Sequence, residues 1–351
     1  MKQKITFLTA IIIIIAMTGN ATVWRVNNRA NVSADFTTLS QAINGASAND
    51  TIYIEGSPVS YGGGNFSKPL TVIGTGYWLN EHDSLQAYQE TSKVTGLSFS
   101  SNSQGCVVEG LYISFVSYYG SAISITANNI TLRRNHISAS NWYANYYAKA
   151  IDISSTVSSV TIEQNWIEAN AVSDNYAMGI SFNQYPVNSI IRNNIIQCDT
   201  NDWAIYMNVE NEASSLIVTN NVIRGKIRTF HSSQYNNILV YGTYTAGTDD
   251  LNSNNICNAT QYPNENGNQQ NVDMSTVFVN DTLAIDYFNM LKTGSPAIGA
   301  GVLGVDCGAY GTNDPYITSG MPPIPAIFDL EMNQTIGTAT IPVTIKAMSH
   351  K

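Results

Sequence analysis

Charge is what this chain has least of. Charged residues make up 12% of its 351 residues, against about a quarter in an average globular protein. Lys and Arg together number 16 and Asp and Glu 25, a net charge of −9. Nucleic acids and anionic membranes want clustered cations, so neither is an expected partner. Disorder is excluded too, because it pairs low hydrophobicity with high charge and 44% of this chain is hydrophobic. Cysteine is scarce: Cys106, Cys198, Cys257 and Cys307 are too few for a disulfide scaffold and lack the C-x-x-C spacing of a zinc site. Buried thiols are the expectation. The apolar run "ITFLTAIIIIIAM", residues 5–17, is shorter than the roughly 20 residues of a bilayer span. It follows Lys2 and Lys4 and precedes Gly19-Asn20-Ala21, so residues 1–21 read as a signal peptide cut after Ala21. With no cysteine beside the cut, a lipid anchor is not expected. Loss of the leader removes two lysines and takes the net charge from −9 to −11. An exported, monomeric chain with no transmembrane segment is expected.

What is plentiful is Ser, Thr, Asn and small apolar residues, and they recur. "ITLRRNHIS" (130–138) is echoed by "VTIEQNWIEA", "SIIRNNIIQC" and "LIVTNNVIRG", with Asn135, Asn165, Asn194 and Asn221 at intervals of 30, 29 and 27. "CVVEGLYIS" fits one step earlier with Leu111 in the Asn place, and "NNILVYG" (236–242) is a degraded later copy. A second strand recurs between the markers: "AISIT", "AIDIS", "GISFN" and "AIYMN". Each alternates apolar and polar residues, the period of a strand buried on one face.

Units this small bury a core only when stacked. Stacking predicts columns: Ile123–Ile151–Ile180–Ile205, Ile125–Ile153–Phe182–Met207, Ile137–Ile167–Ile196–Ile223, and small residues at Ala139, Ala169, Cys198 and Gly225. The repeated Asn is expected to bond its amide along a ladder between coils spaced about 4.8 Å apart. Arg133, Glu163, Arg192 and Thr219 are expected outside as a charge ladder, with His136 stacked on Trp166.

This pattern resembles the right-handed parallel β-helix of the pectate-lyase-like superfamily. "FTTLSQAINGASANDTIYIEGSPVSY" is similar to that family's opening, an amphipathic capping helix (Phe36, Leu39, Ala42, Ile43) before the first coil, and "KPLTVIGTG" resembles the next coil. "GSPAIGAGVLGVDCGAYG" (294–311) resembles the exit motif of secreted β-helix proteins, and the C-terminal end is similar to those of the Bacteroidota. The expected organisation is all-β: a solenoid over 22–311, then 312–351 as a Pro-containing extended segment whose two strands cap the open end. Forty residues are too few for an immunoglobulin-like domain.

Function is less legible than fold. The connection leading into the second strand carries "VSYYG", "NWYANYYAK", "AVSDNYAMG" and "DTNDW", which bring Tyr118, Tyr119, Trp142, Tyr143, Tyr146, Tyr147, Tyr176 and Trp203 to one corner, with Tyr206 on the strand beyond. Exposed aromatic rings suit sugars and protein surfaces; the competing expectation is that they pack on one another to cover the stack. The resemblance implies substrate along one outward strand face, here Ser124, Asp152, Ser181 and Tyr206. On a lyase reading, Lys149 would be the base, with Asp152 beside it, and Asp152, Asp174 and Asp202 would hold Ca2+ against the substrate carboxylate. The family's catalytic motifs are missing, however: W-x-D-H, R-x-P-x-x-R, N-T-D, G-H-G and R-I-K are absent, "GKIR" (225–228) is not R-I-K, and "GTDD" has no partners. "DLNSN" lacks the Gly and Glu of a calcium loop and reads as a polar turn. Three functions stay open: binding of a polysaccharide or cell-surface partner through the aromatic corner, a carbohydrate-active enzyme of the lyase kind, and an adhesive envelope protein.

Overall fold

The computed structural model describes residues 21–82, 85–279, 284–332 and 341–349; nearly all of the predicted leader, and residues 333–340 and 350–351 of the predicted cap, lie outside them. Alternating apolar residues form short strands that pair in parallel with their counterparts one coil away. Three parallel sheets result, of ten, eight and eight strands. The first runs from Val23–Val26 to Leu251–Ser253, the second from Lys93–Thr95 to Ile256–Cys257, and the third from Gly64–Phe66 to Tyr244–Thr245. The chain is a right-handed parallel β-helix.

Inside, the predicted columns stand in register. Ile151 lies opposite Ile123 and Ile180, Ile180 opposite Ile205, and Phe182 opposite Met207. Ile137, Ile167, Ile196 and Ile223 follow one another in the second sheet. Nearly all these side chains are fully buried, each stabilising the fold by about 1.5–3 kcal/mol. At the entry, helix Leu39–Gly45 closes the stack with Leu39, Ala42 and Ile43, and its N-cap Thr38 accepts the Gln41 N–H.

The corner between the first and second sheets explains the asparagines. One residue there adopts positive φ, as at Arg134, Gln164, Asn193 and Asn220 (52–57°), turning the chain sharply. The next residue is the buried Asn. Asn165 Nδ2 donates to Leu132 O at 2.8 Å and to Asn194 Oδ1 at 3.0 Å, while Asn194 Oδ1 also accepts Asn165 N–H at 2.9 Å. The same pattern links Asn135 to Asn165 and Asn194 to Asn221. It continues past the expected end through Asn237, Asn255 and Asn268. At the other end Asn135 Oδ1 accepts the Leu111 N–H.

Several expectations are corrected. The last parallel strand is Ile256–Cys257, and residues 258–270 close the stack with Tyr262 fully buried. Residues 272–279 and 284–321 then return along the outside of the second sheet, because that sheet is apolar on both faces. Trp166, Ile195, Val222, Ile238 and Ile256 point outward and pack with Val277, Phe278, Cys307 and Tyr316. The corner side chains hold this strap coil by coil: Asn254 donates to Ala300 O, Asn220 to Asp306 O, Asn193 to Gly311 O, Gln164 to Pro315 O and Arg134 to Met321 O. Below, Asp286 is buried and accepts from Tyr316 Oη (3.0 Å) and Ser319 N (2.6 Å).

The expected cap strands form an antiparallel hairpin, Pro325–Met332 with Val343–Ser349. It stands beside the entry coils, where Ala87 N–H meets Ile327 O, and not over the open end. His136 is the register neighbour of Trp166 but stacks on Tyr112 at 4.6 Å, with Trp78 packed against both. The charge ladder pairs Glu109 with Arg133 and Glu163 with Arg192. It stands on the outer face as expected, in register opposite the inward Leu132 and Ile162, but its carboxylates are buried there. All four cysteines are free and buried, and burial pushes the Cys106, Cys198 and Cys307 thiols up, so these three are not nucleophiles at neutral pH.

Replacing Asn194 with Ala leaves the buried Asn165 N–H without its acceptor, takes from the Asn165 amide one of its two acceptors and removes the amide that donates to Ile162 O. At about 1–3 kcal/mol per unmet buried group, Asn194→Ala is expected to cost about 3 kcal/mol or more in urea unfolding. Asn128→Ala, on an exposed turn, is expected to cost below about 1 kcal/mol.

Candidate functional site: the outer face of the third sheet

Alternation puts two rows of side chains on the outside of the third sheet. One row runs Ser121, Lys149, Met178, Trp203, Lys226; the other runs Ser98, Ser124, Asp152, Ser181, Tyr206, Arg228. Neighbours in a row are about 4.8 Å apart. The aromatic loops arrive along one edge of this face, because each joins the end of a second-sheet strand to the start of a third-sheet strand. Successive loops brace one another: Asn141 Oδ1 accepts Val172 N–H at 3.3 Å and Ser173 Oγ accepts Asn145 N–H at 3.2 Å. Left-handed turns at Asn145 and Asn175 (φ 65° and 70°) reverse each loop.

The nine aromatic residues divide into three groups, with two rings standing apart. Tyr118 packs with Tyr143 (4.6 Å) and Tyr146 (4.1 Å), Tyr147 with Tyr176 (5.0 Å), and Trp203 with Tyr206 (4.9 Å). Tyr119 and Trp142 are the most exposed, at 64% and 62%, and among the described residues neither has a ring partner. The rings therefore both cover one another and keep open faces: Tyr118, Tyr143 and Tyr147 remain 38–48% exposed.

At the middle of the face Lys149 Nζ donates to Asp152 Oδ1 at 2.8 Å, and Asn183 Nδ2 donates to the same oxygen at 2.9 Å. Lys149 is thus a donor held by a carboxylate, the opposite of a base offering its lone pair. Between Asp152 and Tyr206 the Ser181 hydroxyl is buried without a hydrogen-bond partner among the described residues. The three aspartates expected at a calcium site are engaged separately. Asp152 belongs to Lys149; Asp174, exposed, accepts from Asn201; Asp202, buried, accepts the Ala177 N–H at 3.0 Å. Among the described residues no three His, Cys, Asp or Glu side chains converge to hold a metal ion.

Two residues at the far end went unnoticed in the sequence. Lys226 stands next after Trp203 and Arg228 next after Tyr206, each over the ring of its neighbour (4.8 and 5.6 Å). Arg228 also lies over Phe230 at 5.1 Å. Lys226 donates to Asn175 Oδ1, and among the described residues neither cation meets a carboxylate. The alternation in "KIR" was the available signal, since it repeats the outward–inward–outward order of the preceding strand.

These features define a β-helix with an aromatic, cation-ended outer face. The sequence matches no protein-family model and no curated protein. Among solved structures the chain is similar to pectate lyase Pel9A, at 13% identity over 85% of this chain and 98% of that one, with a TM-score of 0.53. A pectin methylesterase from Aspergillus niger (14% identity, 74% and 93% coverage, TM-score 0.36) and the PL6 family alginate lyase AlyGC (15%, 62% and 36%, TM-score 0.36) are more distant. At these identities the likeness is one of fold.

Burial raises the Asp202 carboxyl above its ordinary range, opposed by the N–H groups of Ala177 and Asn175. A raised acid favours the folded state while protonated, and that contribution is lost as pH rises through the folded value. Stability of the wild type measured against Asp202→Asn is therefore expected to fall between about pH 4 and neutrality. Parallel urea-unfolding curves for the two proteins across that range would show no loss if the carboxyl were unshifted.

Proposed function

We propose that the protein is an exported polysaccharide-binding β-helix, with a sugar chain lying along the outer face of the third sheet. The observation that carries this reading is the run of partly open rings, Tyr118/Tyr143/Tyr146, Tyr147/Tyr176 and Trp203/Tyr206, at one edge of a strand face that also carries serine hydroxyls, the Lys149–Asp152 pair, Met178, Lys226 and Arg228. Flat apolar rings with polar tips fit the C–H faces of sugars, and Ser124, Asn183 and Ser98 supply hydrogen-bonding groups beside them. Pre-formed loops lower the ordering cost of binding. Lys226 and Arg228 lie at one end, so a chain carrying carboxylates or other anions would gain there what the net charge of the whole protein costs it elsewhere.

A lyase is the second reading, favoured by the uncompensated Lys226 and Arg228, which would neutralise a uronate carboxylate. Binding is preferred because Lys149, the expected base, is held by Asp152, and because the three aspartates do not gather around a cation.

Affinity electrophoresis of the mature chain in a panel of neutral and acidic polysaccharides, with and without calcium, separates these readings. Retardation without new reducing ends or unsaturated product is expected. Trp142→Ala and Trp203→Ala are each expected to weaken binding by about 1–2 kcal/mol, a factor of roughly 5–30. Unsaturated product that disappears in Lys149→Ala would favour the lyase instead. No retardation by any glycan would leave an adhesive role ahead.

A further inference from the structure

The C-terminal hairpin carries a second surface, unrelated to the sugar-facing sheet. Its strands pair Ile327 with Ala347, Leu330 with Ile345 and Met332 with Val343, which puts these six side chains on one face. The reverse face holds the Asp329–Lys346 ion pair (2.6 Å), Glu331 and Thr344. The apolar face is bare: Leu330, Ile345 and Met332 are 49%, 57% and 67% exposed, and Ile327 and Val343 are about as open. A two-stranded ribbon with one apolar face is marginal in water until a second layer covers it. The body covers only the root, where a cleft of about 500 Å³ lies between the hairpin and the entry coils, lined by Tyr53, Tyr88, Met321, Ile324, Ile327 and Leu330.

We propose that this face is covered by the same face of a second copy of the chain, in a two-fold dimer. The face is aliphatic throughout, and the hairpin's ion pair is satisfied on its reverse side. Self-pairing of the two hairpin faces therefore buries no hairpin charge and needs no complementary one, and Arg29 and Glu55, which also line the cleft, pair with each other. A two-fold axis perpendicular to the strands, near the Leu330–Ile345 pair, lays the outer end of each hairpin over the root of the other. Met332 and Ile341, the most exposed apolar residues of the hairpin among the described residues at 67% and 60%, then come over the partner's cleft, which has room and a mostly apolar lining for them. The patch thus complements itself, as an isologous interface requires. Its size sets the strength. Half-exposed aliphatic side chains amount to a few hundred Å² per copy, and stable interfaces bury more than about 1,000 Å² in total. The dimer is accordingly weak and concentration-dependent, in place of the monomer that the sequence suggests.

Sedimentation velocity of the mature chain over a wide dilution series tests this. The weight-average mass is expected to rise from monomer to dimer with concentration. Ile345→Lys is expected to weaken association at least about tenfold, whereas Glu331→Lys, on the reverse face, leaves it unchanged. Because Ile345 lies outside the solenoid, the variant keeps its fold, which circular dichroism checks. As an independent measurement, Leu330→Cys is expected to form a disulfide-linked dimer on mild oxidation and Thr344→Cys is not. A wild type that stays monomeric at every concentration, or an Ile345→Lys variant that associates as well as wild type, overturns the proposal.

Discussion

A solenoid of short strands has to solve the same problem at every coil: the corner between two sheets exposes backbone groups to the interior, where water cannot reach them. Strands handle their own N–H and C=O groups by pairing, but a corner breaks the pairing. The asparagine ladder resolves this with one side chain. Its carbonyl accepts the N–H of the coil on one side, and its amide donates both along the ladder and to a strand carbonyl, as Asn165 does to Asn194 and Leu132. An unmet buried group would cost about 1–3 kcal/mol at each coil, and the solenoid could not afford that repeatedly. The inward columns, the register of the outer rows and the placement of the loops all follow from coils held in step at this corner.

The same corner also anchors what lies outside the stack. The positive-φ residue before each ladder Asn from Asn135 to Asn255 points away from the core, and its side chain bonds elsewhere. Asn193, Asn220 and Asn254 use their amides to hold the returning strap, and Gln164 and Arg134 do the same lower down. One turn geometry therefore serves two layers: the Asn faces in and builds the ladder, while its predecessor faces out and fastens the strap over Ile195, Val222 and Ile238.

The part of this that was legible in the sequence is the part that repeats at a nearly constant interval. Columns such as Ile123–Ile151–Ile180–Ile205 could be read because coils of similar length return the same residue to the same place. Legibility fails where coil length changes. The copy at 236–242, with Asn237, was still readable in degraded form, but Asn255 and Asn268 continue the ladder at steps of 18 and 13 residues, because the late coils have shed their corner loops. The doublet Asn254-Asn255 before Ile256 was the surviving trace. Lys226 and Arg228 were passed over for the same reason. Their strand follows Val222–Arg224 after Gly225 alone, with no corner loop to mark its start. The strap was not legible at all: Arg134 and Met321 lie 187 residues apart, and nothing periodic connects them. Within the candidate site the corner aromatics were legible as a group, but their division into touching sets depends on loop paths that spacing does not encode.

The location of the proposed sugar site follows from how the three outer faces are used. The outer face of the second sheet is closed by the strap, which buries Trp166 and Tyr77 beneath it. The first sheet spends its middle on Glu109–Arg133 and Glu163–Arg192, with Asp314 of the strap reaching Arg192 at 3.5 Å, and the hairpin stands beside its entry coils. The third sheet is left, among the described residues, with no chain segment laid across it. Here Lys226 and Arg228 stand beside rings without a carboxylate among the described residues, and aromatic loops from consecutive coils lie along one edge. A linear ligand needs an uninterrupted strip several coils long, with contacts repeating at the coil spacing. Of the three faces this one alone keeps that strip clear, so the attention that began with the asparagine corner ends on the opposite side of the coil, between Tyr118 and Arg228.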